Sequence, residues 1–286
     1  MRICLYWNHT AGGGLTLDRL TSVIQRAGHS VVRAIDDESD LPEHLGDAEC
    51  VVVAGGDGTV ARAGRVLAGG PVPMAILPLG TANNIARSLE VRGDIEQLAA
   101  RWRDGQVVKV DVGVVEVHGG AHRFIESVGC GLVTSCITEG NVTLAKDHPP
   151  THLAEARELY VRALGDLVPR HYDITLDGER VSRELLLVEA LNTPSIGPML
   201  EFTADVSAAD GFLSVVLLGE SDRDALVAYL SAPDSDVPAP AEFKSWRVKT
   251  IEIAGADRLH VDDRVMETGG SPFSIGIHPR SLAILA

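Results

Sequence analysis

The sequence predicts an α/β protein in two parts: an N-terminal three-layer α/β domain, with helices over a mostly parallel sheet, followed by a domain of mostly antiparallel sheet. Three observations predict it. Short apolar runs alternate with amphipathic helical segments as far as about Lys109. Beyond that point, strands separated by hairpin signals dominate. Three glycine-rich turns follow strands of the first part, and a parallel sheet gathers the carboxyl ends of its strands on one edge.

In chain order, "RICLYW" is a short apolar run that stops at Asn8 and reads as a strand. After "GGG" at 12–14, Leu15, Leu17, Leu20, Val23, Ile24 and Ala27 largely keep helical spacing, and Gly28 is a helix stop. "HSVVRAI" gives a second strand, "CVVVA" a third, residues 60–68 a helix, and "MAILPL" a fourth strand. A helix over about 94–103 follows, with Asp94 placed to cap it. Strands apolar throughout their length suit burial on both faces.

The second part reads "DVGVVEV", "HGGA" and "HRFIESVG" as a hairpin, then "HYDITL", "DGE" and "LLLVEAL" as another. "FLSVVLL", "RVKTIEIAG", "LHV" and "FSIGI" supply further strands. Two helices interrupt them, near 152–167 and near 222–230, and the proline-bearing stretch 231–243 is a loop. The expected domains are 1–110 and 111–286, with the C-terminal segment a candidate to return to the first.

With 45% hydrophobic and 23% charged residues over 286 positions, the chain has a globular composition and enough length for a sizeable core. A net charge of −15 argues against a nucleic-acid partner, because binding a phosphate backbone needs a concentrated basic surface. Cys4, Cys50, Cys130 and Cys136 show no metal-binding spacing and read as small buried hydrophobes in a reducing compartment. "ICLYW" is too short for a signal-peptide core, and no run of 18 apolar residues occurs, so a cytoplasmic location is expected. Ser195 lacks a nucleophile-elbow setting, which removes support for hydrolase chemistry.

The stretch "VVVAGGDGTVARA" carries the chemistry. One glycine suffices for a strand-to-helix turn. Gly55, Gly56 and Gly58 together strip side chains from a whole loop, which lets a ligand approach main-chain N–H groups at a helix N-terminus, where phosphate is favoured. "NHTAGGG" and "PLGTANNIARSL" end the first and fourth strands in the same way, so three turns can converge on one ligand. Neither a G-K-[ST] nor a G-x-G-x-x-G spacing is present, which excludes a Walker loop and the dinucleotide fingerprint.

"GGDGTV", "PLGTANNIAR", the N-x-x-A-G turn, "VDVG", "RFIESVGCG", "ADGFLSVVLL" and "LHVDDR" occur in an order that resembles the diacylglycerol kinase catalytic-domain family of bacterial lipid kinases and sphingosine kinases. The resemblance covers nearly the whole chain. It implies an α/β domain like that of NAD kinase, then a β-sandwich, and an ATP-dependent kinase that phosphorylates a hydroxyl of a lipid alcohol such as diacylglycerol. Asn8, Gly12, Gly55, Gly56, Gly58, Thr59, Gly80, Thr81, Asn83 and Asn84 match nucleotide-contacting positions. Asp57 and Asp111 match carboxylates that organise Mg²⁺ at the reacting phosphates. Asp262 matches the proposed general base, and Asp210 a separate structural metal site. The implied partners are ATP and a hydroxyl-bearing acceptor, expected to be a lipid, with transient membrane-surface contact and a homodimer both compatible and no nucleic acid.

Four positions depart from the family pattern. Asn84 stands where a carboxylate is usual, "DDR" puts Asp263 and Arg264 where glycine and glutamate are usual, and Glu126 replaces asparagine. Arginine beside Asp262 would favour its ionised form, or hold an acidic acceptor. An active lipid kinase is the leading expectation; a kinase for a soluble hydroxylated metabolite and a nucleotide-binding homologue with impaired transfer remain alternatives.

Overall fold

Cβ-branched, apolar residues at 50–54 and their neighbours at 3–6 and 74–77 are almost wholly buried, the condition of strands covered on both faces. The computed structural model describes residues 1–11, 14–144, 153–232 and 241–286. They divide into two units, Met1–Val112 with Pro279–Ala286, and Gly113–His278. The first unit runs β1 (Arg2–Trp7), α1 (Leu17–Arg26), β2 (Ser30–Ile35), α2 (Leu41–His44), β3 (Cys50–Gly55), α3 (Asp57–Leu67), β4 (Met74–Pro78), α4 (Asn84–Ser88) and α5 (Ile95–Arg101). Its strand order is β2-β1-β3-β4, all parallel. Thr16 caps α1 through the Arg19 N–H, and Asp94 caps α5 in a reciprocal box with Gln97.

Two strands carry the chain between the units: β5 (Val107–Val117) on the way out and β16 (Phe273–Leu285) on the way back. The last residues of β16 add a parallel strand to the first unit, with Ile284 beside Met74.

The second unit continues with β6 (Gly120–Phe124), β7 (Ser127–Gly131), α6 (Leu132–Leu144), α7 (Leu153–Asp166), β8 (Arg170–Leu176), β9 (Glu179–Leu185), β10 (Leu187–Leu191), β11 (Leu213–Leu218), α8 (Arg223–Leu230), β12 (Ser245–Val248), β13 (Thr250–Ala254), β14 (Arg258–Val261) and β15 (Arg264–Glu267). One antiparallel sheet is ordered β12-β11-β10-β7-β14-β15. The other pairs β9, β8, β13 and the start of β16 in sequence. Val128, Cys130, Val188, Ala190, Val215 and Val261 of the first sheet meet Ile174, Ile251, Ile253 and Ile275 of the second in one apolar core. The opposite face of the six-stranded sheet packs Leu187, Leu191 and Val216 under Leu132, Tyr160 and Leu226 of the helices. This is an α/β domain with a parallel sheet followed by a mostly antiparallel β-sandwich.

Two stretches that read as single strands are each divided. "RVKTIEIAG" breaks at Lys249, so that β12 pairs with β11 in one sheet and β13 with β8 in the other. "HRFIESVG" breaks at Ile125 and Glu126, leaving β6 with β5 and β7 with β10. Helix α6 has no counterpart in the sequence reading.

Candidate active site

At the end of β1, the Asn8 N–H donates to Ala54 O at 3.0 Å, and its side-chain Nδ2 donates to Thr59 Oγ1 at 3.1 Å. Asn8 Oδ1 accepts the Thr10 N–H and hydroxyl, so the turn after β1 is tied to the first turn of α3. At the end of β3, Gly55 O accepts the Leu79 N–H at 2.9 Å. A Cβ on Gly55 would lie 2.6 Å from Thr59 Cβ, and one on Gly80 would lie 2.6 Å from Gly56 Cα. Glycine is therefore required at 55 for Thr59 to fold over its own turn, and at 56 and 80 for two turns to touch backbone to backbone. At 55, 56 and 80 the space a side chain would take is filled by protein, so packing of the turns itself calls for glycine there, beside the expected approach of a phosphate to the main chain at Gly55, Gly56 and Gly58. An approaching anion is left the beginning of α3, an 11-residue helix in which Asp57 and Gly58 occupy the first turn.

Asn83 has φ 50°, and its side chain closes its own turn, with Oδ1 accepting Gly80 N–H at 2.9 Å and Nδ2 donating to Gly80 O at 2.7 Å. Thr81 is exposed in that turn and Asn84, which opens α4, is buried. Asp57 reaches from α3 to the start of α4, where Oδ1 accepts the Ile85 N–H at 3.0 Å. Burial raises the Asp57 carboxyl above its ordinary value, against the opposing pull of the Ile85, Asn84, Asn83 and Asp57 N–H groups. The structure thus brings together Asn8, Gly55, Gly56, Asp57, Thr59, Gly80, Asn83 and Asn84. Gly12 lies outside the described residues.

Asp111 is wholly buried on β5 and accepts the Arg280 N–H at 2.7 Å, fastening the returning strand where Arg280 takes φ 54°. Among the described residues, no three His, Cys, Asp or Glu side chains are grouped to hold a metal ion. Magnesium takes one or two carboxylates and keeps waters and phosphate oxygens as its remaining ligands, so this donor set fits the ion at Asp57. Asp57 is a desolvated carboxylate beside an anion-favouring helix end, and a cation there would offset its burial.

In the second unit, Asp262 is 5% exposed, with φ 50° in the turn between β14 and β15. Its Oδ1 accepts the N–H groups of Ile125 at 3.0 Å and Glu126 at 2.8 Å. Those are the residues where the chain crosses from one sheet to the other, so the carboxylate replaces the ladder partners that the crossing removes. Glu126 is buried beside it. Arg264 opens β15 opposite Val261, and its exposed side chain makes no hydrogen bond or ion pair among the described residues.

Asp210 lies in the loop before β11. Its Oδ1 accepts the Phe212 N–H at 3.0 Å, and its Oδ2 takes Arg247 Nη2 at 2.7 Å. The Arg247 guanidinium lies 4.8 Å from the Phe212 ring centroid, with Lys249 Nζ 5.0 Å from the same ring. With one oxygen held by a backbone N–H and the other by Arg247, this carboxylate is already paired where the resemblance implies a metal ion.

Sequence reasoning missed a polar island under α6. Glu189 Oε1 and His260 Nε2 are 3.0 Å apart and both side chains are buried. Thr134 Oγ1 donates to Gly129 O, so its oxygen accepts from His260 Nδ1 at 3.0 Å, while Ser127 Oγ lies 3.4 Å from Nε2. Glu189 Oε2 has no hydrogen-bond partner among the described residues, and a Cβ on Gly129 would sit 2.4 Å from it. The signal was an acid in the middle of "LLLVEAL", which no satisfied core strand carries without a partner.

All four cysteines are buried, and burial pushes the Cys50 thiol up to about 12. No helix among the described residues is long and apolar enough to cross a membrane.

A model of the diacylglycerol kinase catalytic domain matches residues 2–115, and a model of the YegS C-terminal NAD kinase beta sandwich-like domain matches residues 148–286. A diacylglycerol kinase of Mycobacterium tuberculosis (strain ATCC 25618 / H37Rv) is 26% identical over 271 residues, covering 89% of this chain and 83% of the relative. One of Staphylococcus carnosus (strain TM300) is 24% identical over 243 residues, 82% of this chain and 74% of the relative. The crystal structure of a diacylglycerol kinase from Bacillus anthracis str. Sterne superposes with a TM-score of 0.76 at 20% identity, covering 99% of this chain and 96% of that one, a likeness of fold.

Proposed function

Because the chain belongs to the diacylglycerol kinase catalytic-domain family of kinases, we propose that it transfers the γ-phosphoryl group of ATP to the hydroxyl of a lipid alcohol, with diacylglycerol as the acceptor. The observation that carries this reading is the contact of the Gly56 and Gly80 turns at the beginning of α3, with Asp57 spanning from one to the other. Two strand ends joined in this way make one rigid anion-favouring seat, and phosphoryl transfer depends chiefly on such positioning.

In this reading Asn8 and Thr59 hold the turn after β1 against α3, and Asn83 fixes the shape of the Gly80 turn, leaving Thr81 at the ligand. Asp57 and Asp111 would hold Mg²⁺, which when bound supplies charge neutralisation at the phosphates. Asp262 takes the proton of the acceptor hydroxyl as its oxygen bonds to phosphorus and the bond to ADP breaks. Its amide partners at Ile125 and Glu126 fix the direction in which the carboxylate faces.

The test is transfer of label from γ-labelled ATP, with Mg²⁺, to diacylglycerol in mixed micelles, to sphingoid bases and to a panel of soluble alcohols. Labelled phosphatidic acid is the expected product. A labelled soluble product instead would make the acceptor a metabolite. Nucleotide binding with no product across the panel would identify a binding protein, the reading that Asn84 in place of a carboxylate favours.

A further inference from the structure

Glu38 follows β2 in a 3-10 turn, Glu38–Asp40, whose preceding residue Asp37 accepts the Ser39 N–H at 2.8 Å and its hydroxyl at 2.7 Å. That cap fixes the backbone of Glu38 at the carboxyl end of its strand. The side chain is fixed as well. Its Oε2 accepts the hydroxyl of buried Tyr6 at 3.1 Å and lies 3.6 Å from Arg62 Nε. Arg62 in turn approaches Thr59 Oγ1 at 3.4 Å, the same oxygen that Asn8 Nδ2 holds. The carboxylate is therefore linked, contact by contact, to the turn that begins α3. Its second oxygen, Oε1, accepts no hydrogen bond among the described residues.

An ion pair at 3.6 Å, with side chains 29% and 39% exposed, is weakened by solvent screening and explains little of this arrangement. The chemistry explains more. An ionised carboxylate only accepts hydrogen bonds, and a vicinal diol offers two donors side by side. In the order β2-β1-β3, the end of β2 lies two strand spacings, about 10 Å, from the end of β3. That is a span a triphosphate chain covers between its terminal phosphates and its sugar. In doubly wound sheets, phosphates sit at a helix N-terminus while an acid at a neighbouring strand end reads the ribose hydroxyls.

We propose that Glu38 is a specificity-determining residue that accepts hydrogen bonds from the ribose hydroxyls of the bound nucleoside triphosphate. This rests on the nucleotide reading given above. The full chain is tested by displacement of a fluorescent ATP analogue, which needs no turnover, using ATP, 2′-deoxy-ATP and 3′-deoxy-ATP as competitors. The wild-type protein binds ATP about tenfold more tightly than at least one deoxy analogue, the loss expected for one hydrogen bond to a charged group. Glu38→Ala binds all three alike, at the affinity the wild type shows for the poorer analogue, and Glu38→Gln, which keeps the shape and the Tyr6 contact, falls between. Equal binding of the three nucleotides by the wild type would overturn the inference, as would unchanged discrimination in Glu38→Ala or Glu38→Gln. Failure of all three nucleotides to displace the probe would instead remove the nucleotide reading, and this inference with it.

Discussion

Substituting Gly80 by alanine tests the seat between the two turns directly. The new methyl would begin 2.6 Å from Gly56 Cα and 3.0 Å from Asn83 Oδ1, where ordinary contacts start at 3.4 Å. Opening the first contact to that distance separates the turns by about 0.8 Å, and a displacement of ~1 Å of a positioning element costs on the order of 100-fold in turnover. Both neighbours resist. One is backbone, and the other already holds the Gly80 N–H and C=O. The expected result is a fall in kcat/KM for ATP of roughly 10- to 100-fold, with a loss of stability of about 1–3 kcal/mol from overpacking. Steady-state phosphorylation, nucleotide displacement and urea unfolding measure the three quantities separately. Gly165→Ala is the control: nothing lies within 4 Å of that position in α7, and a gain of ~0.5 kcal/mol is expected with activity unchanged. A folded Gly80→Ala protein with nucleotide affinity and kcat/KM within about twofold of wild type would refute the idea that contact between the turns builds the seat.

Asp57→Asn should be more stable than wild type at pH 7 and inactive. Because the folded carboxyl is raised above 3.8, its contribution to stability is fully present below that pH and is lost as pH rises through the raised value; asparagine keeps an oxygen for the Ile85 N–H without the charge. Urea midpoints between pH 3 and 8 check this, and a variant less stable at pH 7 would contradict it. His260→Ala leaves Glu189 buried without its partner and should cost about 3–5 kcal/mol in urea unfolding; a loss below about 1 kcal/mol would mean that the pair carries little structural weight. Arg247→Ala should cost less than about 1 kcal/mol, since both partners are partly exposed. It should also render the thermal midpoint sensitive to Mg²⁺ and EDTA where the wild type is not, and a Mg²⁺-sensitive wild type would return Asp210 to the role of a metal ligand.

Much of the architecture was legible because it rests on local patterns. Buried parallel strands announce themselves as unbroken apolar runs, and hairpins by their turn residues, so the α/β part and the sandwich could be separated near Lys109. What escaped was non-local. Nothing at Lys249 or at Ile125–Glu126 marks a bend, because there the chain changes sheets to suit partners distant in sequence. Helix α6, "LVTSCITEGNVTL", is rich in β-branched residues and reads poorly as a helix; packing of Leu132, Val133 and Cys136 against the sheet overrides that preference. At the site, the motif's positions were legible while their reasons were not. Gly55 and Gly80 are small because Thr59 and Gly56 need the space, which no count of glycines reveals. Glu38 lay in an unremarked loop, since its partners Tyr6 and Arg62 are 32 residues before it and 24 after it in the chain.

The return of β16 has a consequence for how the molecule is made. Until residues 279–286 have been made, β4 has β3 on one flank and nothing on the other, since its second neighbour is the stretch carrying Ile284. The first unit, though begun first, is thus completed only after the second, and an open rim of main-chain N–H and C=O groups persists throughout synthesis of the sandwich. Severing the chain near Val112 would free a fragment that retains every glycine turn yet lacks the strand that seals its sheet.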